Sequence, residues 1–431
     1  MSKLSFGRYD YATFMTFIAY AVCSIVIPMC LVPLAADLHF PLDGGGMAKG
    51  GALQLARSIP MVLSLVLCGF LAGRWGKRKS LGLSILLMAA GILIAAVTPL
   101  YGILFLALIA TGLGEGVIEG LVTPFVQDLH PEQPGRYLNL SHSFWSVGVV
   151  VLVLAAGALL QIGVSWRIIV GAAGVLAIIP ALLFLAPNHS ASNPDHAEER
   201  LNWREVANNS RDIMRQRRFW LYFAAMFFAG GAEFCLTFWC ASFIQLAYGG
   251  SAWAAGLGTA VFAAGMFCGR IGSAFFVRQE HLQRLIVVMA ALGTLISLFL
   301  PFLNSVNWLY PLLFVAGISA GPFWPSIQSH GQMRTPGDIT MMMVLFSCAG
   351  VPGCGFFTWL MGVLGDVVGL RMSFLMIPAC FLVVVGLICW DWRAEVRENG
   401  MHADTEQPVV PPVAVTPAVA PSPSARWRAR Q

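Results

Sequence analysis

Apolar residues follow one another along this chain for about 20 positions at a time, with polar and charged residues clustered between the runs. A helix of that length crosses the hydrocarbon core of a bilayer. Twelve such helices are predicted, at roughly 11–33, 48–73, 80–98, 101–129, 138–161, 166–186, 218–247, 251–277, 283–303, 307–330, 339–365 and 371–392. A very short turn at Pro99-Leu100 joins the third to the fourth. The first run follows only Lys3 and Arg8, is too long for a signal-peptide core and lacks a small-residue cleavage site. It is expected to be retained. The predicted fold class is an all-α membrane protein.

The polar interruptions divide the chain. The longest, 187–217, separates six predicted helices in 1–186 from six in 218–395. The two halves share local sequence. Gly69 has a counterpart in Gly269, Thr123-Pro124-Phe125-Val126-Gln127 in Trp324-Pro325-Ser326-Ile327-Gln328, and Trp166-Arg167 in Leu370-Arg371. All three matches share an offset of about 200 residues, the mark of an internal repeat. Parallel six-helix repeats are a transporter architecture. Residues 396–431 turn Pro-, Ala- and Val-rich and are expected to form a disordered tail.

Charge then orients the chain. Arg74, Lys77, Arg78 and Lys79, the arginines of the central loop, and Arg393 and Arg397 fall on one side; Lys49, Arg167 and Arg371 fall on the other. The basic side is expected to be cytoplasmic, with both termini there, in a plasma or inner membrane.

Composition excludes other classes. Of 431 residues, 58% are hydrophobic and 11% charged, and the mean hydropathy is +0.74. Soluble domains carry about 25% charged residues. A net charge of +5, scattered along the chain, gives no footprint for nucleic acid. The ten cysteines fall singly in apolar runs and read as small hydrophobes. No nucleophile–base arrangement, phosphate loop or metal-ligand spacing suggests an enzyme, and no cofactor is expected.

The informative residues are those that break the apolar pattern. Glu115 and Glu119 lie mid-way along the fourth helix. A charge at that depth costs about 3 kcal/mol and marks a site for an ion, a proton or a polar substrate. One turn apart, the two acids share a helix face, and two carboxylates that close in a low dielectric do not both ionise readily. Both are candidates for proton coupling, and Glu119 also for substrate binding. The alternative is a permanent pair with an arginine that locks helices together. Gly112, Gly116 and Gly120 form a small-residue stripe for close helix approach. Arg57 lies too deep in the second helix to snorkel; an ion pair with a fourth-helix glutamate is expected, direct substrate contact the alternative. Glu233 sits mid-way along the seventh helix, as a cavity acid or a buried pair. Arg270 is expected to make a gate contact, with Asp366 as its partner. Asn139, His142, Trp145, Trp239, Trp324 and Gln328 are polar or aromatic candidates for a sugar site. His142 and His330 fall near cytoplasmic ends, where a structural role is expected.

Two resemblances sharpen this. Gly69-Phe70-Leu71-Ala72-Gly73-Arg74-Trp75-Gly76-Lys77-Arg78-Lys79 resembles the signature loop of the major facilitator superfamily, with Gly73 where the family has aspartate. The resemblance covers about residues 8–395. It implies twelve helices in two pseudo-symmetric six-helix bundles, a gating role for Arg74, Lys77 and Arg78, and a cavity lined by the first, fourth, seventh and tenth helices. Glu119-Gly120-Leu121-Val122-Thr123-Pro124-Phe125 and Leu138-Asn139-Leu140-Ser141-His142-Ser143-Phe144-Trp145 are similar to the fucose/glucose/galactose permease group, with Thr123 and Trp145 in place of asparagines. That likeness implies proton coupling and sugar binding at the position of Glu119. The leading expectation is therefore a monomeric, cation-coupled carrier of a small polar solute, with sugar the expected solute and proton the expected cation. A proton-driven exporter of hydrophobic or amphipathic compounds, and a transport-inactive sensor or assembly protein, remain as alternatives.

Overall fold

The computed structural model describes residues 6–132, 134–187 and 203–405. Twelve of its helices are long and apolar enough to cross a membrane. They are α1 (Arg8–Met29), α2 (Met47–Trp75), α3 (Lys77–Val97), α4 (Tyr101–Leu129), α5 (Leu140–Gln161), α6 (Trp166–Leu185), α7 (Arg217–Tyr248), α8 (Ala252–Phe276), α9 (Gln279–Phe302), α10 (Val306–Arg334), α11 (Met341–Val368) and α12 (Leu370–Arg397). Short connections make successive spans antiparallel. The face at which α1 begins is called proximal here, and the face at which it ends distal.

Three details differ from the sequence expectation. The span α10 is broken: one helix ends at Ala320 and the next begins at Phe323. Gly321 and Pro322 lie between, and Pro325 cannot donate an N–H to the turn before it. The central connection contains a helix, Trp203–Met214, while 188–202 lie outside the described residues. The last helix runs on to Thr405, ten residues into the stretch expected to be disordered; 406–431 lie outside the described residues. The chain divides into a compact unit, Met1–Asp391, and a second, Trp392–Gln431, whose described part is that helical continuation.

The repeat is visible as equivalent contacts. Arg167, at the start of α6, donates to the carbonyls of Ala96 (3.1 Å) and Thr98 (2.6 Å) at the end of α3. Arg371, at the start of α12, donates to the carbonyls of Pro301 (3.3 Å) and Leu303 (2.8 Å) at the end of α9. Each guanidinium supplies donors to carbonyls that a helix end leaves without partners.

Between the two sets of six, the closest backbone approaches lie in the distal halves of α2, α5, α8 and α11. A Cβ on Gly51 would meet the Thr358 carbonyl at 2.6 Å, and one on Gly256 the Val153 carbonyl at 2.4 Å. Only glycine permits such approaches, as small residues do generally where membrane helices pack.

Candidate functional site

The site begins with the glycines of α4. A Cβ on Gly112 would lie 2.1 Å from the Arg57 carbonyl, and one on Gly116 2.1 Å from that of Met61. The stripe thus seats α4 on α2 and brings Arg57 beside Glu115. Arg57 Nε donates to Glu115 Oε2, and Nη2 to the Ser24 hydroxyl of α1. That hydroxyl donates in turn to Glu115 Oε1 at 3.3 Å. Glu115 is 0% exposed and Arg57 6%. A buried pair survives only when its remaining hydrogen-bonding capacity is also met.

A proline explains part of the arginine's placement. Pro28 has no N–H for the Ser24 carbonyl four residues before it. Arg57 Nη1 supplies that donor at 2.7 Å. The second half repeats the device. Pro325 leaves the Gly321 carbonyl without its helical donor, and Arg270 Nε supplies one at 3.0 Å. Arg270 Nη2 also pairs with Glu233 Oε1 at 3.2 Å. In each half one arginine joins a buried glutamate to a carbonyl freed by proline.

Glu119 differs from both. It is half-buried, lies beside the Tyr20 hydroxyl of α1, and forms no ion pair among the described residues. Tyr20 and Ser24 are one turn apart on α1 and face Glu119 and Glu115, one turn apart on the antiparallel α4. This matched spacing was the signal available in the sequence for two residues that pattern reading passed over.

The two halves meet in front of these acids. Arg270 lies over the Trp145 ring of α5, 5.8 Å from its centroid. A small pocket opens there, lined by Trp145, Ser146, Thr237, Thr259, Met266 and Arg270 among others. Cys354 of α11 lies within electrostatic reach of Glu233, Arg57 and Glu119. His142 is exposed, 3.3 Å from the Thr123 hydroxyl and packed on Phe17 with centroids 4.5 Å apart.

Other expected site residues are placed elsewhere. Trp239 is 0% exposed and donates from its indole to the Thr358 carbonyl at 3.1 Å. It packs on Gly50 and Gly362 in the closed distal interface, because only those glycines leave room for an indole between α2 and α11. It is therefore not a cavity residue in this state. Gln328 is buried and donates to the Ser347 hydroxyl at 3.2 Å, and half-buried Trp324 packs on Gly350. Both join α10 to α11. Asn139 falls on the helix Pro134–Gln161, and its side chain lies outside the described residues.

The expected Arg270–Asp366 contact is also corrected. Arg270 lies in the proximal half of α8, whereas Asp366 lies at the distal end of α11, because α11 runs from proximal to distal. Asp366 instead accepts from the backbone N–H groups of Met47 and Ala48 at 2.8 Å each. At the proximal loop, Lys77 pairs with Asp128 at 2.7 Å, Arg78 donates to the Phe184 carbonyl at 2.7 Å, and Arg74 is exposed.

The Major Facilitator Superfamily profile matches residues 12–357. The chain belongs to the Major Facilitator Superfamily. It has that superfamily's fold and is an integral, multi-pass membrane transporter, not an enzyme. A comparison with curated proteins finds no match. Among solved structures, it is similar to the nucleoside transporter NupG, in a variant form (TM-score 0.71, 13% identity, covering 88% of this chain and 99% of that one). It is similar to a bacterial homologue of the human lysosomal transporter Spinster, inward-facing and occupied (0.68, 14%, 89% and 96%). It is also similar to the E. coli fucose:proton symporter FucP, again a variant (0.61, 18%, 88% and 98%). At these identities the likeness concerns the fold.

Proposed function

We propose that this transporter carries a sugar across the plasma or inner membrane by proton symport, with Glu119 as the coupling carboxyl. The observation that carries this reading is the contrast between three membrane acids. Glu115 and Glu233 hold arginines, while Glu119 is half-buried, without an ion pair among the described residues, beside a hydroxyl. A carboxyl that exchanges a proton as the site changes sides needs access to water and freedom from a fixed cation. The fucose:proton symporter among the structural neighbours supports the same reading.

In this reading the two bundles, 1–186 and 218–395, rock about the central region. The proximal face is cytoplasmic, since the basic loops lie there. Trp145 offers a ring face to a pyranose, and Arg270, Glu233 and His142 offer hydrogen bonds to its hydroxyls. The carrier acts as a monomer.

Glu119→Gln removes the titration while keeping the shape. In proteoliposomes given a panel of hexoses and pentoses on the outside, accumulation driven by an imposed pH gradient, acid outside, should be abolished and equilibrative exchange retained. Accumulation at the wild-type level would overturn the assignment. A second reading, proton-driven export of amphipathic compounds, is favoured by the apolar wall that Val149, Phe262 and Met266 give the same pocket. Hydrophobic cations included in the panel separate the two.

A further inference from the structure

The first turn of α2 is capped by the other half of the molecule. A helix start leaves backbone N–H groups without intrahelical partners, usually met by a Ser, Thr, Asp or Asn at the cap position. The cap residue of α2 is Gly46, which has no side chain to offer. The acceptor comes from α11 instead: the Asp366 carboxylate takes the Met47 N–H on one oxygen and the Ala48 N–H on the other, each at 2.8 Å. Its negative charge also meets the positive end of the helix dipole. Around this contact the interface is close. A Cβ on Gly362 would lie 2.3 Å from the Met47 carbonyl, and one on Gly365 2.6 Å from the Met47 sulfur. The face cannot open while Asp366 stays on α2.

Among the described residues the proximal face shows no equivalent. There the first turn of α11 is capped within its own half, by Asp338, whose Oδ1 accepts from the Met341 N–H at 2.7 Å. A Cβ on Gly73, near the proximal end of α2, would meet no other packed group within 4 Å among the described residues.

We infer that Asp366 is a latch, holding the distal face shut by capping α2 across the two bundles and thereby biasing the carrier toward the state that faces proximally. Opening the distal face must uncap α2, so the carboxylate sets the balance between the two states as well as the stability of one helix end.

Hydrogen exchange of the full chain in lipid nanodiscs tests this. Loss of an acidic cap shifts a two-state balance by roughly five- to tenfold. With Asp366→Ala, exchange should rise by that factor along the distal halves of both α2 and α11, through Gly355–Gly365. It should fall in the proximal halves of the same helices as that face closes more often. Asp366→Asn, which loses the charge and keeps one oxygen acceptor for one of the two N–H groups, should give a smaller rise in the same segments, and it stands in if the alanine variant does not fold. A rise confined to the first turn of α2, a rise in all regions alike, or no change would overturn the latch. Because the readout is conformational, the result is independent of which solute is carried.

Discussion

Glu115 and Glu119 are equivalent by sequence position and different by environment. Their helical spacing and shared face were legible in the chain, as was the need of Arg57 for a partner. Which acid the arginine takes was not, because that depends on how α1 and α2 sit against α4. Ser24 and Pro28 decide it, by offering Arg57 a hydroxyl and an open carbonyl at the level of Glu115. The pairing makes a prediction for stability. Arg57→Ala leaves a buried carboxylate alone and should cost about 3–5 kcal/mol. Adding Glu115→Ala should recover part of that loss, giving a non-additive double-mutant cycle in thermal unfolding in detergent. Additive losses would reject the pairing.

The elements follow from composition more directly than the site does. Twelve apolar runs gave twelve spans, and a stripe of three glycines on α4 indicated close packing before its partner was known. That partner is α2, and the fit is tight enough to test. Gly116→Ala would push a Cβ to 2.1 Å from the Met61 carbonyl. Overpacking of this kind costs about 1–3 kcal/mol. Gly102→Ala, on the same helix with nothing within 4 Å, should instead be neutral or gain up to about 1 kcal/mol from better helix propensity. Melting temperatures of the two variants in one detergent check the contrast; equal losses would mean that the stripe does not set the α2–α4 distance. The break in α10 was harder to see. A proline matters there for the carbonyl it frees, and only the structure shows that Arg270 takes it.

For the whole molecule, an offset of about 200 residues announced the repeat, and the Arg167 and Arg371 contacts give it physical form. What the chain could not show was the state of the two faces. The distal interface is closed by glycine contacts, Trp239 and the Asp366 cap, all formed between residues far apart in sequence. A residue such as Trp239 reads as a cavity aromatic from its position on α7, and only the neighbouring glycines reveal that it fills the closed face. The proposed cycle alternates that closure between faces, with Glu119 gaining and losing a proton. It is tested most directly in proteoliposomes without an ion gradient, by adding a hexose or pentose outside and recording the external pH. Solute-dependent alkalinisation with the wild-type protein, absent with Glu119→Gln, is the expected result. Solute flux without proton movement, or alkalinisation that survives Glu119→Gln, would contradict it.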